Sequence, residues 1–140
     1  MTTPLDCFFT QFYAHNPVSA TFIGVHDHDA ALPDWSTAQL EAMHAGMRGL
    51  HAELGAGVPA HAAGDWEAID ADLARAYLEI REAEDNGSHG IRANPALWTG
   101  EAIFGVVSLM LRPSSPMRRR AMAVAARLES IAPFLASAKV

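Results

Sequence analysis

The sequence predicts an all-α protein, a bundle of about six helices in which most neighbouring helices run antiparallel. Alanine is abundant and aromatic residues make up only 8% of the chain, a composition that favours helices. Segments with helical spacing of apolar residues are separated by capping residues and prolines. Alternating strand patterns are nearly absent, since the one β-like run, residues 104–111, contains a glycine and follows a helix start. Short loops favour antiparallel neighbours.

Start and stop signals outline three helices in the first part of the chain. Thr3-Pro4-Leu5-Asp6 provides an N-cap, a proline at the first helical position and an acid in the first turn. Asn16-Pro17 repeats this start for a short helix that should run to about Gly24. Ser36 and Gln39 form a capping box for a third helix. The predicted apolar faces are Leu5, Phe8, Phe9, Phe12 and Tyr13 in the first helix, and Leu40, Met43, Met47, Leu50 and Leu54 in the third.

A glycine- and proline-containing loop, residues 55–64, separates the third helix from the fourth. Gly55 can close the third helix, and Asp65 can cap the fourth. The fourth helix should end before the turn sequence Asp85-Asn86-Gly87-Ser88. Its predicted buried stripe is Trp66, Ile69, Leu73, Ala76 and Ile80.

Two more helices follow, each introduced by a proline. Asn94-Pro95 starts the fifth helix, which should continue until Pro113. Ser115-Pro116 starts the sixth, which Pro133 should kink or restart. The predicted stripes are Ile103, Phe104, Val107 and Leu111 in the fifth helix, and Met117, Ala121, Val124, Leu128 and Ile131 in the sixth.

The charge distribution argues against nucleic acid as a partner. The chain has 10 Lys and Arg against 16 Asp and Glu, a net charge of −6, whereas phosphate binding needs surplus cations. Residues 1–47 hold five acids and no Lys or Arg, while residues 111–140 hold six bases and one acid. We expect the basic segment to lie near the acidic one or to form a solvated helix face, in preference to a lipid or nucleic-acid patch.

Length and cysteine content indicate one ordinary domain. At 140 residues the chain can bury a real core, and we expect residues 1–140 to form a single helical domain. Cys7 is the only cysteine, so no intrachain disulfide can form, and its phenylalanine neighbours suggest a small core residue. No signal peptide is recognisable, and the most apolar run, residues 102–111, is far shorter than the roughly 20 residues of a membrane span. We expect a cytoplasmic protein with no membrane partner.

The most polar motif is His26-Asp27-His28-Asp29, whose side chains can all bind a metal or move protons. In an extended loop the histidines would point to one side and the aspartates to the other. A structural zinc site needs four protein ligands, so His26 and His28 would need help from residues such as His15 or Asp34. The favoured interpretation is a polar turn between helices. The sequence thus assigns this chain no catalytic, cofactor-binding or metal-binding residue and no cofactor.

Two further features have structural explanations. His44 and His51 flank the stripe of the third helix, and roughly 10 Å of helical rise separates them, too much for one ion. We expect both at the boundary of the core. Glu101 lies inside an otherwise apolar helix, so it should be partly buried and paired with an arginine among Arg118–Arg120. The alternative for Glu101 is a carboxylate that faces a substrate groove.

Three stretches resemble, in order, the bacterial domain-of-unknown-function family 885. They are residues 8–36, FFTQFYAHNPVSATFIGVHDHDAALPDWS, residues 94–112, NPALWTGEAIFGVVSLMLR, and residues 127–138, RLESIAPFLASA. That family is similar in fold to zinc carboxypeptidases of the thermostable type, and its members are several times longer than this chain. The resemblance implies zinc and a peptide substrate only for the full-length protein, because the family's zinc motif lies downstream of anything present here.

The leading hypothesis is therefore the N-terminal helical segment of a zinc-metallopeptidase-like protein, without an active site of its own, that forms part of a groove wall or lid. One alternative is a non-enzymatic helical module that binds itself or a partner chain. A second is a small metal-dependent hydrolase that uses His26 and His28.

The last helix carries no stop signal, and a missing downstream domain would leave apolar faces uncovered. We therefore expect a homo-oligomer, most simply a two-fold dimer through Leu40-Met43-Met47-Leu50 or Val124-Leu128-Ile131.

Overall fold

Six α-helices and their connections make up the described part of the chain. The computed structural model describes residues 3–57, 66–86, 90–111 and 115–138. The helices are α1 (Pro4–His15), α2 (Pro17–Ile23), α3 (Thr37–Gly57), α4 (Trp66–Asn86), α5 (Pro95–Leu111) and α6 (Met117–Ala136). These ranges contain no strand, and none of their helices has the length and apolar character needed to cross a bilayer. The predicted all-α bundle is confirmed.

The first two helices form where the sequence predicts, but one cap works differently. Thr3 and Asp6 form a capping box at α1, in which each side chain accepts a hydrogen bond from the other residue's backbone N–H, at 3.1 and 2.9 Å. Gly24 ends α2 with a φ of 101°, a left-handed conformation that glycine adopts without strain. Asn16 provides no side-chain cap for α2; its amide donates instead to the Phe12 carbonyl at the end of α1, at 2.9 Å.

Three predicted helix ends shift. The α3 helix continues past Gly55, and α4 continues past Asp85, each by a residue or two beyond the expected stop. The α6 helix runs through Pro133 as one element, so of the two predicted outcomes, a kink or a restart, the restart does not occur. Proline removes one backbone donor, and burial of the neighbouring Phe134 in the core holds the last turn in place. The predicted cap at Asp65, the turn at Gly87-Ser88 and the stop at Pro113 lie outside the described residues.

The core consists of two adjoining clusters of buried side chains. The first cluster, between α1, α3 and α4, contains Phe8, Leu50, Leu54, Ala71, Ala74 and Leu78. The second joins the start of α3 to α5 and α6 and contains Leu40, Met43, Ile91, Trp98, Ala102 and Phe134. Met47 packs against both clusters. The α3 stripe is therefore confirmed as core, and it forms no uncovered face through which a dimer could assemble.

Most residues of the stripes predicted for α4, α5 and α6 lie outside the core; the exception is Ile131 of α6, which packs against the second cluster. On α4 the large apolar side chains face outward, and Trp66 is 77% exposed and Leu73 63%. The residues buried instead are Ala68, Ala71, Ala74 and Leu78 on α4; Trp98, Ala102, Gly105, Ser108 and Leu109 on α5; and Ala123, Arg127 and Phe134 on α6. Most of these are small, and small side chains let helix axes approach closely. The outward faces of α4 and α5 therefore keep the large apolar residues.

Gly105 lies where α5 approaches its neighbours closely. A Cβ atom at this position would lie 2.7 Å from Cδ2 of Leu32 and 3.3 Å from Cγ2 of Val18. Because no side chain intervenes, the α5 backbone lies within reach of the α6 side chain of Arg127. This contact fixes α6 relative to α5.

Candidate functional site

A cleft of about 600 Å³ lies between the turn at residues 26–30 and the first half of α6. The turn contributes His26, Asp27, Asp29 and Ala30, and α6 with its preceding residue contributes Pro116, Arg118, Arg119, Met122, Ala123 and Ala126. The basic segment therefore lies beside the acidic one, as the charge distribution predicts. Charged groups line the rim of the cleft, while methionine and alanine side chains supply apolar surface.

The turn after α2 folds back so that His26 meets Asp29. The Nδ1 atom of His26 lies 3.1 Å from Oδ2 and 3.2 Å from Oδ1 of Asp29. In this contact the Nδ1–H group of His26 donates and the Asp29 carboxylate accepts. Residues 27–30 form a turn, so the extended arrangement considered for this motif is wrong and the polar turn is confirmed.

Asp29 is buried, and a threonine connects it to α6. Only 6% of Asp29 is exposed. Thr21 donates its hydroxyl hydrogen to Oδ1 of Asp29 over 2.8 Å, and the same hydroxyl oxygen accepts a hydrogen bond from Arg127 at 2.7 Å. The carboxylate that orients His26 is thereby held on its other side, which fixes the imidazole ring relative to α2.

Arg127 is the centre of this network, and its side chain is fully buried. One terminal nitrogen of its guanidinium donates to the Gly105 carbonyl and to the Ser108 hydroxyl of α5. The other donates to the carbonyls of Pro17 and His28, at 3.2 and 3.4 Å, and to the threonine hydroxyl described above. A single side chain therefore ties α6 to α2, to α5 and to the turn that forms the cleft wall.

Two carboxylates, those of Asp29 and Glu101, balance the charge of Arg127 without accepting any of the hydrogen bonds described above. Burial lowers the pKa of Arg127, and the negative charges of Asp29 and Glu101 oppose that shift. Burial raises the pKa of Glu101, and the positive charge of Arg127 opposes it. The predicted partial burial of Glu101 is confirmed. Its electrostatic partner is Arg127, however, and not an arginine among Arg118–Arg120, because α6 turns Arg127 inward and leaves Arg118 and Arg119 exposed.

Arg118 and Arg119 are the cations that face the cleft. Both are exposed, and neither forms an ion pair with another described residue. Guanidinium groups present a planar fork of N–H donors that matches carboxylate and phosphate oxygens. The cleft can therefore receive an anion, with His26 on the opposite wall.

Among the described residues, neither His15 nor Asp34 lies where it could complete a metal site with His26 and His28. His15 lies at a separate small cavity beside Phe12 and Tyr77. The Asp34 carboxylate accepts from the backbone N–H of Ser36 at 2.9 Å. Within the described ranges, no group of three His, Cys, Asp or Glu side chains is placed to hold a metal ion.

The remaining candidates lie where structural roles predict. His44 and His51 are half-buried at the boundary of α3, and Nε2 of His51 lies 3.1 Å from Oε1 of Glu79. Cys7 is half-buried against the first core cluster, as expected of a small core residue. Sequence reasoning missed Arg127. The one indication of its burial is its position. Arg127 lies four residues after Ala123, so both residues are on the same buried face of α6.

The cleft and the Arg127 network fall inside one family match. The sequence profile of a family described as "Bacterial protein of unknown function (DUF885)" matches residues 17–140. The chain belongs to this family. The resemblance noted in the sequence is thereby confirmed at the level of the DUF885 family. No curated protein and no solved structure matches the chain. DUF885 membership thus covers α2 to α6 and leaves the activity to be argued from the cleft.

Proposed function

We propose that this DUF885 chain is a helical segment of a zinc-metallopeptidase-like protein, without an active site of its own, and that its cleft binds the carboxylate of a peptide. The peptidase part of this proposal rests on the resemblance of the family to zinc carboxypeptidases. The binding part rests on the cleft. In this arrangement the chain holds the ligand, and the metal-dependent step belongs to the full-length protein.

The observation that carries the proposal is the position of Arg118 and Arg119 opposite His26 in one cleft. Asp29 also lines the cleft, but its oxygens already accept from Thr21 and His26. Asp27 and Asp29 together balance the charge of the two arginines, so the exposed N–H donors of Arg118 and Arg119, and not a net positive charge, would hold the carboxylate. A peptide carboxylate can accept the paired N–H groups of a guanidinium, and its apolar side chain can lie on the methionine and alanine surface.

Peptide binding tests this proposal directly. A fluorescein-labelled tetrapeptide with a free C-terminal carboxylate should bind the chain in an anisotropy titration, and the C-terminally amidated peptide should bind at least about 10-fold more weakly. Arg118→Gln/Arg119→Gln should reduce binding of the free-carboxylate peptide to the level of the amidated one. Arg75→Gln on α4, another partly exposed arginine, serves as the matched control. Equal binding of both peptides, or equal binding by the double variant, would remove the basis for this cleft function.

The metal-dependent hydrolase is the competing function, and zinc binding separates the two. Two imidazoles fill at most half of a tetrahedral site, and Nδ1 of His26 already faces Asp29. Zinc titrated against the chain should therefore bind no more tightly than it does to a surface histidine pair. A submicromolar site that disappears in His26→Ala/His28→Ala, together with chelator-sensitive peptide cleavage, would favour the hydrolase over our proposal.

A further inference from the structure

The outward face of α5 carries large apolar side chains over most of its length. Ile103 is 65% exposed, Met110 is 69% exposed, and Val107 lies between them at helical spacing. The other exposed large side chains on this face are Leu97, Phe104 and Leu111. The only charged residue of α5 is Glu101, which is half-buried and interacts electrostatically with Arg127. No charge therefore interrupts this surface.

The α2 helix extends the same surface. The rings of Phe22 and Phe104 contact each other with centroids 5.3 Å apart, and Ile23 is exposed beside Phe22 in the sequence. We call these exposed residues of α2 and α5 the α5 face. They average about half exposed, and a large apolar side chain offers on the order of 200 Å². The α5 face thus presents roughly 800 Å², about what each partner buries in a standard protein interface.

A second outward apolar face, on α4, has a different charge environment. Its exposed side chains lie opposite the buried alanines, and acids flank them: Asp70 and Glu84 on one side, Asp72 and Glu79 on the other. Arg75 pairs with Asp72 and Glu79, and Arg81 pairs with Glu84. Pairing two copies through α4 would remove these ion pairs from water, which is unfavourable. Pairing two copies through the α5 face brings no like charges together.

We propose that the α5 face binds a second copy of this chain, in a two-fold dimer with the α5 helices antiparallel and crossing at Val107. A two-fold axis there places Ile103 of one protomer opposite Leu111 of its partner, and Phe104 opposite Met110. Each pair joins two exposed apolar side chains, so the surface is self-complementary. This dimer does not involve the cleft between the 26–30 turn and α6. The outcome of a test of one proposal therefore does not decide the other.

The molar mass in solution tests the dimer. At tens of micromolar, light scattering should give twice the 15.0 kDa mass of the chain. Ile103→Glu and Met110→Glu should each raise the dissociation constant at least about 100-fold, because each would bury unpaired charge in the interface. Leu73→Glu, at a similarly exposed apolar position on α4, should leave the dimer intact. A monomer of wild-type chain under these conditions, or a dimer lost only in Leu73→Glu, would overturn the proposal.

Cross-linking tests the position of the axis independently of affinity. In a Cys7→Ser background, Val107→Cys should form a disulfide-linked dimer on mild oxidation, since a residue on a two-fold axis meets its own copy. Leu73→Cys should stay uncross-linked under the same conditions. Equal cross-linking of both variants, or cross-linking of Leu73→Cys alone, would contradict the α5 dimer. Circular dichroism of each variant confirms that its helices are retained.

Discussion

Replacement of Arg127 by methionine should be one of the most damaging single changes in the chain. Methionine keeps a similar aliphatic length but removes the guanidinium that donates to acceptors on α2, α5 and the turn. It also leaves buried Asp29 without its balancing charge. The perturbation is therefore the loss of one partner from a buried charged network, while the other partner stays in place.

The expected magnitude follows from the burial of both partners. Removing one member of a buried charge network costs about 3–5 kcal/mol, because the remaining charge cannot return to water. The buried Thr21 hydroxyl also loses a donor at 2.7 Å, and each unsatisfied buried group costs about 1–3 kcal/mol. Better apolar packing of methionine offsets part of this. We therefore expect the free energy of unfolding to fall by about 3–5 kcal/mol for Arg127→Met.

Urea unfolding followed by circular dichroism measures this change, with Arg119→Met as the control at an exposed position of the same helix. The control should stay within about 0.5 kcal/mol of wild type. Asp29→Asn combined with Arg127→Met should cost at least about 1 kcal/mol less than the two single changes together, because the stranded charge is gone. An Arg127→Met cost below about 1 kcal/mol, or strict additivity of the pair, would refute the reasoning.

Three other outcomes follow from particular positions. Gly105→Ala should lower the free energy of unfolding by about 1–3 kcal/mol because its Cβ would lie 2.7 Å from Cδ2 of Leu32. Gly49→Ala, which meets nothing within 4 Å, should raise it by about 0.5–1 kcal/mol, and thermal melts compare the two. Burial lowers the pKa of His15, so the folded chain binds that proton less tightly than the unfolded chain, and stability should fall as the pH drops through 6.5. Urea titrations at about pH 7 and pH 5 should show a smaller fall in His15→Gln. Burial raises the pKa of Glu101, so its stabilising contribution is present below 4.5, the ordinary value, and is lost as the pH rises through the folded pKa. Glu101→Gln should therefore gain stability relative to wild type between about pH 4 and pH 7. A variant-to-wild-type difference that stays constant with pH would contradict either expectation.

The sequence predicted the helices well because caps and prolines act locally. The capping box of Thr3 and Asp6 and the left-handed Gly24 are set by neighbours within four residues. Helix phase was predictable on α1, where Leu5, Phe8 and Phe12 pack in the first core cluster, and on α3, where one broad stripe meets both core clusters. On α4 two apolar faces compete, and side-chain size favours the wrong one. Close packing against α3 selects the alanines, and that choice depends on the distance between helices.

Only the local part of the candidate site could be predicted from the sequence, because the rest depends on contacts between distant segments. The His26–Asp29 motif stood out as a polar turn, and its residues do form one. The connection from this motif to α6 could not be predicted, because nothing in the sequence distinguishes a buried arginine from an exposed one within a basic segment. Arg127 is explained by acceptors on α2 and α5, which the chain brings together only in three dimensions.

The hydrogen bond from Arg127 to the Pro17 carbonyl joins residues 110 positions apart. On a ribosome adding about 5–20 residues per second, α2 emerges roughly 5–20 s before the guanidinium that anchors it. The first core cluster draws only on α1, α3 and α4, so it can assemble during that interval. Synthesis therefore orders the molecule in two stages. The cleft takes its shape only when α6 is synthesised and packs against the turn at residues 26–30.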